Sequence, residues 1–166
     1  MEEYIANPLN SNVFFSIGQP IMCVLLVFTG IAGLLLLISR LAKLGGLELV
    51  AERWAERFLL ITLHTGLIWL GLSMVISYIS TNVMDTIIGA VLLSGAITSI
   101  VRRTTSDQQK GNRTLVITFI FLAAAILWTF IFSNILDALP FQIRDSISDT
   151  WRPQFFKDLF SFWHWM

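Results

Sequence analysis

The sequence has few charged residues. Eleven Lys and Arg and eleven Asp and Glu make up 13% of the 166 residues and leave a formal net charge of zero. Soluble domains contain about 25% charged residues, so this chain has about half of the usual fraction. The balanced composition excludes the basic footprint of a nucleic-acid-binding protein, and we expect no nucleic-acid partner.

Cysteine and reactive motifs are also scarce. Cys23 is the single cysteine, which excludes an intrachain disulfide and a cysteine-based metal cluster. The sequence has no G-x-S-x-G, no H-E-x-x-H, no Walker loop and no carboxylate pair inside its apolar segments. We therefore expect no catalytic residues, no cofactor and no metal, and interpret the chain as a non-enzymatic protein.

Long apolar runs dominate the sequence instead. Hydrophobic residues make up 55% of the chain, and its mean hydropathy is +0.74. About 20 helical residues cross the hydrocarbon core of a bilayer. Four runs reach that length, at residues 21–39, 58–79, 83–101 and 115–136. The sequence predicts an all-α integral membrane protein in which residues 1–166 form a single membrane domain built on a four-transmembrane-helix bundle.

Two glycines and a helical segment precede the second span. Residues 46–57 read as a helix that continues into the second span, and Gly45 and Gly46 are predicted to supply the turn after the first. A continuous helix from Leu47 to Ser80 would be about 51 Å long. Because that length exceeds the hydrocarbon core by roughly 20 Å, the helix must tilt, kink or project into the cytoplasm.

The distribution of Lys and Arg predicts the orientation. Residues 40–57 and 102–113 hold four basic residues each, whereas three follow residue 136 and none precedes residue 21. Cytoplasmic loops of membrane proteins carry the excess of Lys and Arg. We therefore expect the N- and C-termini on the non-cytoplasmic side, and a bacterial inner membrane as the location.

Small and hydroxyl side chains recur at helical spacing in two spans. The second span carries Thr62, Gly66, Ser73 and Ser77, and the third carries Thr86, Ala90, Ser94 and Thr98. Small residues let helices approach closely in lipid. These positions are predicted to pack helices within the chain, to form an interface between subunits of a homo-oligomer, or to do both; the alternative is that they line a pore.

His64 is the titratable residue well inside a predicted span. One interpretation is a pore-lining or pH-gating group, because histidine changes charge near neutral pH. The favoured interpretation is a neutral ring that is hydrogen-bonded to a neighbouring helix or a water, since buried polar groups find partners.

Charged residues gather on two surfaces that are predicted to be cytoplasmic. Glu48, Glu52 and Glu56 form an acidic ridge, and Arg102 and Arg103 begin a basic loop. The ridge is predicted to be a self-paired solvated face, a docking site for a cytoplasmic protein, or a vestibule in a ring of copies. The basic loop is expected to contact anionic lipid headgroups rather than the ridge of a neighbouring copy.

The C-terminal segment is rich in aromatic residues. Residues 153–165 are predicted to form an amphipathic interfacial helix that is too short to span the membrane. Its predicted membrane-interface anchors are Trp151, Phe155, Phe156, Phe160, Trp163 and Trp165. Aromatic rings of this kind sit at headgroup depth, and we interpret the segment as an anchor rather than a membrane-perturbing or partner-binding element.

Two functions fit these features. The favoured hypothesis is a small polytopic protein that acts as an oligomeric membrane-anchoring or sensing subunit of a larger assembly, in contact with the lipid bilayer and a cytoplasmic protein partner. The alternative is an oligomeric channel or pore-forming protein of a holin-like or defence and immunity type. The scarcity of ionisable residues within the spans and the predicted projecting helix favour the first hypothesis.

Overall fold

The computed structural model describes residues 9, 12–43, 45–140, 143, 147 and 151–163. In this part of the chain the helices are α1 (Val13–Leu41), α2 (Gly45–Tyr78), α3 (Val83–Thr104), α4 (Gln108–Ala138) and α5 (Phe155–Trp163). The first four are long and apolar enough to cross a membrane. The prediction of an all-α membrane protein with four spanning helices and a short C-terminal helix is confirmed.

Helix α1 begins earlier than the sequence predicts. Asn12 is its N-cap, and the Asn12 Oδ1 accepts a hydrogen bond from the Phe15 N–H at 3.1 Å. An asparagine side chain at this position satisfies an amide that the helix leaves free. The start predicted at Ile21 is therefore wrong, and Pro20 lies inside the helix.

The turn between α1 and α2 does not use the two glycines. Gly45 and Gly46 belong to the first turn of α2, and the turn includes Ala42 and Lys43. Lys43 has a φ of 56°, the left-handed conformation that commonly ends a helix. The prediction that the glycines form the turn is wrong, but residues 46–57 do continue into the second span as one helix of 34 residues.

Each long helix packs mainly on the next one in sequence. Consecutive pairs among α1 to α4 share extensive contacts, and α5 contacts α4 and the end of the α2–α3 hairpin. The core lies between α2, α3 and α4, where Leu67, Met74, Leu92 and Leu122 are buried. In the described residues, α1 and α4 form the two flanks and expose most of their apolar side chains, as helices in contact with lipid do.

Helices α2 and α3 are closest where two glycines face each other. A Cβ placed on Gly71 would lie 2.8 Å from the carbonyl oxygen of Gly89, and one placed on Gly89 would lie 2.9 Å from the carbonyl oxygen of Gly71. Both distances are shorter than a real Cβ contact. The two backbones can approach this closely only because neither residue has a side chain.

The predicted first and second spans are offset along the helix axis where α1 packs against α2. The rings of Phe28 and Phe58 stack with centroids 5.7 Å apart, and Arg40 bonds Glu48 at 3.2 Å. The predicted first span, residues 21–39, therefore lies beside the N-terminal half of α2 and not beside the whole second span. The N-terminal part of α2 does not project alone, because the most apolar half of α1 accompanies it.

Candidate functional site

A buried carboxylate attaches α5 to the α2–α3 hairpin. Asp85, in the first turn of α3, is fully buried, and its Oδ2 accepts hydrogen bonds from the backbone N–H groups of Gln154 at 2.7 Å and Phe155 at 3.2 Å. Free amides and the positive end of the helix dipole at α5 favour an acceptor there. Asn82 adds a hydrogen bond from its Nδ2 to the carbonyl oxygen of Arg152.

A tyrosine on α2 completes this attachment. The Tyr78 hydroxyl donates a hydrogen bond to the Oδ2 of Asp158, and the Tyr78 ring meets the Phe155 ring edge-on with centroids 6.1 Å apart. Burial raises the pKa of the Asp158 carboxyl above its ordinary value, while the Tyr78 hydrogen bond and the nearby Lys157 charge oppose this effect. We call Tyr78, Asn82 and Asp85 the α5 latch.

The latch changes the interpretation of two predicted membrane anchors. Phe155 and Phe156 are 0% and 1% exposed, and both belong to the main apolar core. Both rings are therefore covered by protein and not exposed to lipid, which corrects their prediction as anchors. Hydrogen bonds to Asp85 draw the start of α5 against the bundle, so its first aromatic side chains are buried by protein instead of lipid.

The other predicted anchors remain available to the membrane surface or lie outside the described residues. Trp151 is 53% exposed, and Phe160 is 49% exposed beside Phe130, with ring centroids 5.6 Å apart. Trp163 belongs to α5, but its side chain and all of Trp165 lie outside the described residues. Interface anchoring by Trp151 and Phe160 stays a prediction.

Two of the predicted packing residues on α2 face α1. The Oγ1 atoms of Thr62 and Thr29 are hydrogen-bonded at 2.8 Å, so a hydroxyl pair joins the two helices. One turn along, a Cβ on Gly66 would lie 3.1 Å from the Cε of Met22. These positions therefore serve packing within the chain.

The remaining pair on α2 is held by the N-cap of α1. The Asn12 Nδ2 donates to the Ser77 Oγ at 2.6 Å and to the Ser73 carbonyl oxygen at 3.2 Å. One asparagine thus both starts α1 and fastens it to α2. This residue is not among those predicted from the sequence, although an asparagine directly before an apolar run is a helix-start signal.

The predicted row of small residues on α3 lies mainly on the side of the helix that faces away from α2 and α4. Ala90, Ser94 and Thr98 are exposed and Thr86 is half-buried, whereas the buried line of α3 follows other residues: Asp85, Ile88, Gly89, Leu92, Ala96 and Ser99. The Ser94 Oγ donates to the Val91 carbonyl oxygen at 3.0 Å, so the hydroxyl is satisfied within its own helix. We call Ala90, Ser94 and Thr98 the α3 outer face.

His64 links three helices. Its Nδ1 is 2.7 Å from the Leu60 carbonyl oxygen, its Nε2 is 3.0 Å from the Ser99 Oγ, and that Oγ is 2.9 Å from the Gly111 carbonyl oxygen. A neutral ring that donates from Nδ1 can only accept at Nε2. The single Ser99 hydroxyl proton then serves either the histidine or Gly111, and the network holds α2, α3 and α4 together.

The acidic ridge is balanced from α1. Arg40 contacts Glu48 at 3.2 Å and Glu52 at 3.6 Å, while Glu56 is exposed. The basic loop is engaged locally, because the Arg102 Nη1 donates to the Thr114 Oγ1 at 2.8 Å and the Arg103 Nη2 donates to the Asn112 Oδ1. Ridge and loop residues of this chain therefore do not neutralise one another.

The polar groups brought together serve attachment and packing. Within the described parts of the chain, no group of three His, Cys, Asp or Glu residues is placed to hold a metal ion. The latch was missed by sequence analysis because Asp85 and Tyr78 are far from α5 along the chain, and only the fold brings them to it. Comparisons with known protein families, curated proteins and solved structures find no match to this chain.

Proposed function

We propose that this chain is a non-enzymatic, oligomeric membrane subunit that anchors or senses on behalf of a partner. The observation that carries the proposal is the α3 outer face. Helix association in lipid has no hydrophobic driving force and depends on close backbone approach at small residues. A row of small residues on the outside of a central helix is therefore suited to a helix of another subunit.

The helices already packed within the chain do not use this row. The α2–α3 contact uses Gly71 and Gly89, and the α3–α4 contact places Gly95 against Thr118. Ala90, Ser94 and Thr98 form a row of small exposed residues on the outward side of the same helix, between larger ones such as Val91 and Ile97. The α3 outer face is therefore a packing surface separate from the sides of α3 that contact α2 and α4.

The end of the molecule that carries the α1–α2 turn is the proposed partner side. Arg53, Glu56 and Arg57 are exposed there, and none of them takes part in the salt bridges found in the described residues. Of these, the Glu56 side chain is available to a protein surface. With the excess of Lys and Arg at this end, we propose that it faces the cytoplasm and that the membrane is a bacterial inner membrane.

A channel is the second candidate, and the same face supports it. Ser94 and Thr98 would place hydroxyl groups along the lining of a ring of α3 helices, and pores do not require charged linings. The support is weaker because the Ser94 hydroxyl already bonds its own backbone, and Thr62, Ser73 and Ser77 lie against α1 or its N-cap.

The proposed oligomer is tested by placing larger side chains on the α3 outer face. Wild-type protein in nanodiscs is expected to give a mass of several chains, and the double variant Ala90→Leu with Ser94→Leu is expected to give the mass of one, because the larger side chains hold helices apart. Ala123→Leu, at an exposed position of α4, is the matched control and should keep the wild-type mass.

Two results would change the assignment. A single-chain mass for the wild type, or an unchanged oligomer for the double variant, contradicts the proposed interface. Discrete conductance steps in planar bilayers that disappear with Ser94→Leu but persist with Ala123→Leu would assign the channel function instead.

A further inference from the structure

An apolar cleft separates the C-terminal half of α1 from the N-terminal part of α2. Its volume is about 440 Å³, and the lining includes Phe28, Leu35, Ile38, Val50, Trp54 and Phe58. The cleft lies within the size range of pockets that hold small organic ligands. Such a lining offers water few hydrogen-bond partners.

The one hydroxyl group in the lining is already satisfied, and the indole N–H of Trp54 is the other side-chain polar group there. Ser39 donates from its Oγ to the Leu36 carbonyl oxygen at 2.9 Å, inside its own helix. A buried water needs two to four polar partners, and the lining side chains do not provide them. The occupant of the cleft must therefore be apolar.

The α1 side of the cleft has the apolar composition of a lipid-facing surface. Its α1 wall belongs to the most apolar spanning helix, and the outward side chains of that wall are exposed: Leu34 by 59%, Leu37 by 54% and Leu41 by 77%. Because lipid covers such a surface in a membrane, acyl chains are the apolar groups that meet the cleft first.

The two rims of the cleft differ in charge. On one rim Glu48 and Glu52 are neutralised by Arg40, at 3.2 and 3.6 Å. On the other, Arg53 and Arg57 are exposed, lie one turn apart and take part in none of the salt bridges found in the described residues. Guanidinium groups bind phosphate strongly, so this second rim is complementary to an anionic headgroup.

We propose that the α1–α2 cleft binds one anionic phospholipid, with an acyl chain between the two helices and its phosphate at Arg53 and Arg57. A helix of a second copy is about 10 Å wide with its side chains. It does not fit between helices whose Phe28 and Phe58 rings stack at 5.7 Å. A single flexible hydrocarbon chain matches the largely apolar lining.

The first test measures lipid retained by the full chain. Native mass spectrometry of delipidated protein titrated with phosphatidylglycerol is expected to show one lipid per chain, bound more tightly than phosphatidylcholine. Ala51→Phe fills the cleft and should weaken this binding by about tenfold or more. Leu49→Phe, on the same helix but outside the lining, is the matched control and should bind as the wild type does.

The second test distinguishes the contribution of the lipid headgroup to binding from that of the acyl chain. Arg53→Gln with Arg57→Gln should lower the affinity for phosphatidylglycerol to that for phosphatidylcholine. When the wild-type protein is reconstituted in vesicles, phosphatidylglycerol with brominated acyl chains should quench the fluorescence of Trp54. Subtracting the emission spectrum of Trp54→Phe isolates the Trp54 signal. This measurement needs no cleft-filling variant, so it decides the matter even if Ala51→Phe fails to fold.

Three outcomes overturn the proposal. The first is equal lipid retention by folded Ala51→Phe and Leu49→Phe. The second is the same affinity for both lipids in the wild type, and the third is an unquenched Trp54. An unquenched Trp54, together with a lipid-free oligomer mass that falls in Ala51→Phe but persists in Leu49→Phe, would assign the cleft to a second copy.

Discussion

Replacement of Gly89 by alanine is expected to lower the free energy of unfolding by about 1–3 kcal/mol, the usual cost of an overpacked core. The new methyl group would lie 2.7 Å from the Met74 Cβ, 2.9 Å from the Gly71 carbonyl oxygen and 3.1 Å from the Val75 backbone nitrogen. Backbone atoms of α2 cannot rotate away as the end of a flexible side chain can. Helices α2 and α3 must therefore separate, and the core between them opens.

Reversible unfolding in mixed micelles measures this loss. Gly33→Ala is the matched control, because a Cβ at Gly33 meets nothing within 4 Å and alanine is the better helix former. The control should leave the stability unchanged or raise it by up to about 1 kcal/mol. Equal stabilities of the two variants would show that α2 and α3 do not cross at the Gly71–Gly89 contact.

Replacement of Asp85 by alanine is expected to release α5 while the four long helices stay folded. The change removes the acceptor of the part-buried Gln154 amide and of the buried Phe155 amide. A lost hydrogen bond of this kind costs about 1–3 kcal/mol. Hydrogen exchange of the α5 amides should accelerate by about 10- to 100-fold, since each 1.4 kcal/mol corresponds to a factor of ten.

Asp137→Ala supplies the control for this experiment. Asp137 is an exposed carboxylate near the end of α4, so its loss should not change exchange in α5. Tyr78→Phe removes only the hydrogen bond to Asp158 and should produce a smaller acceleration. If α5 keeps its protection in Asp85→Ala, or if all helices exchange together, the latch is not what holds α5.

The positions of the spanning helices could be predicted because they depend on local composition. A run of about 20 apolar residues has no stable place outside a bilayer or a large core, whatever the rest of the chain does. The continuous α2 was predictable for the same reason, since helical periodicity ran through residues 46–57 without a break. The start of α1 was missed because the uninterrupted apolar run begins at Ile21, whereas the capping residue Asn12 lies further upstream.

Whether an apolar or small helix face contacts lipid or another helix could not be predicted, because lipid and the protein interior are both apolar. Thr62 and Ser94 are similar residues on similar helices, yet Thr62 bonds α1 and Ser94 faces outward. Phe155 and Phe160 share the aromatic side of α5, yet Phe155 is buried by the bundle and Phe160 is half exposed. A residue has the same hydropathy value whether it faces lipid or the protein interior, so hydropathy does not distinguish the two.

The sequence by itself determined that this is an all-helical chain with four membrane-length helices, through apolar length and helical period. Only the tertiary structure decided which polar groups meet. Asp85 reaches the start of α5 across about 70 residues of chain, and His64 reaches Ser99 on the next helix. Such pairs form because a buried polar group requires a partner, but the partner is chosen by the crossing of helices at Gly71 and Gly89 and by the return of the C-terminal segment.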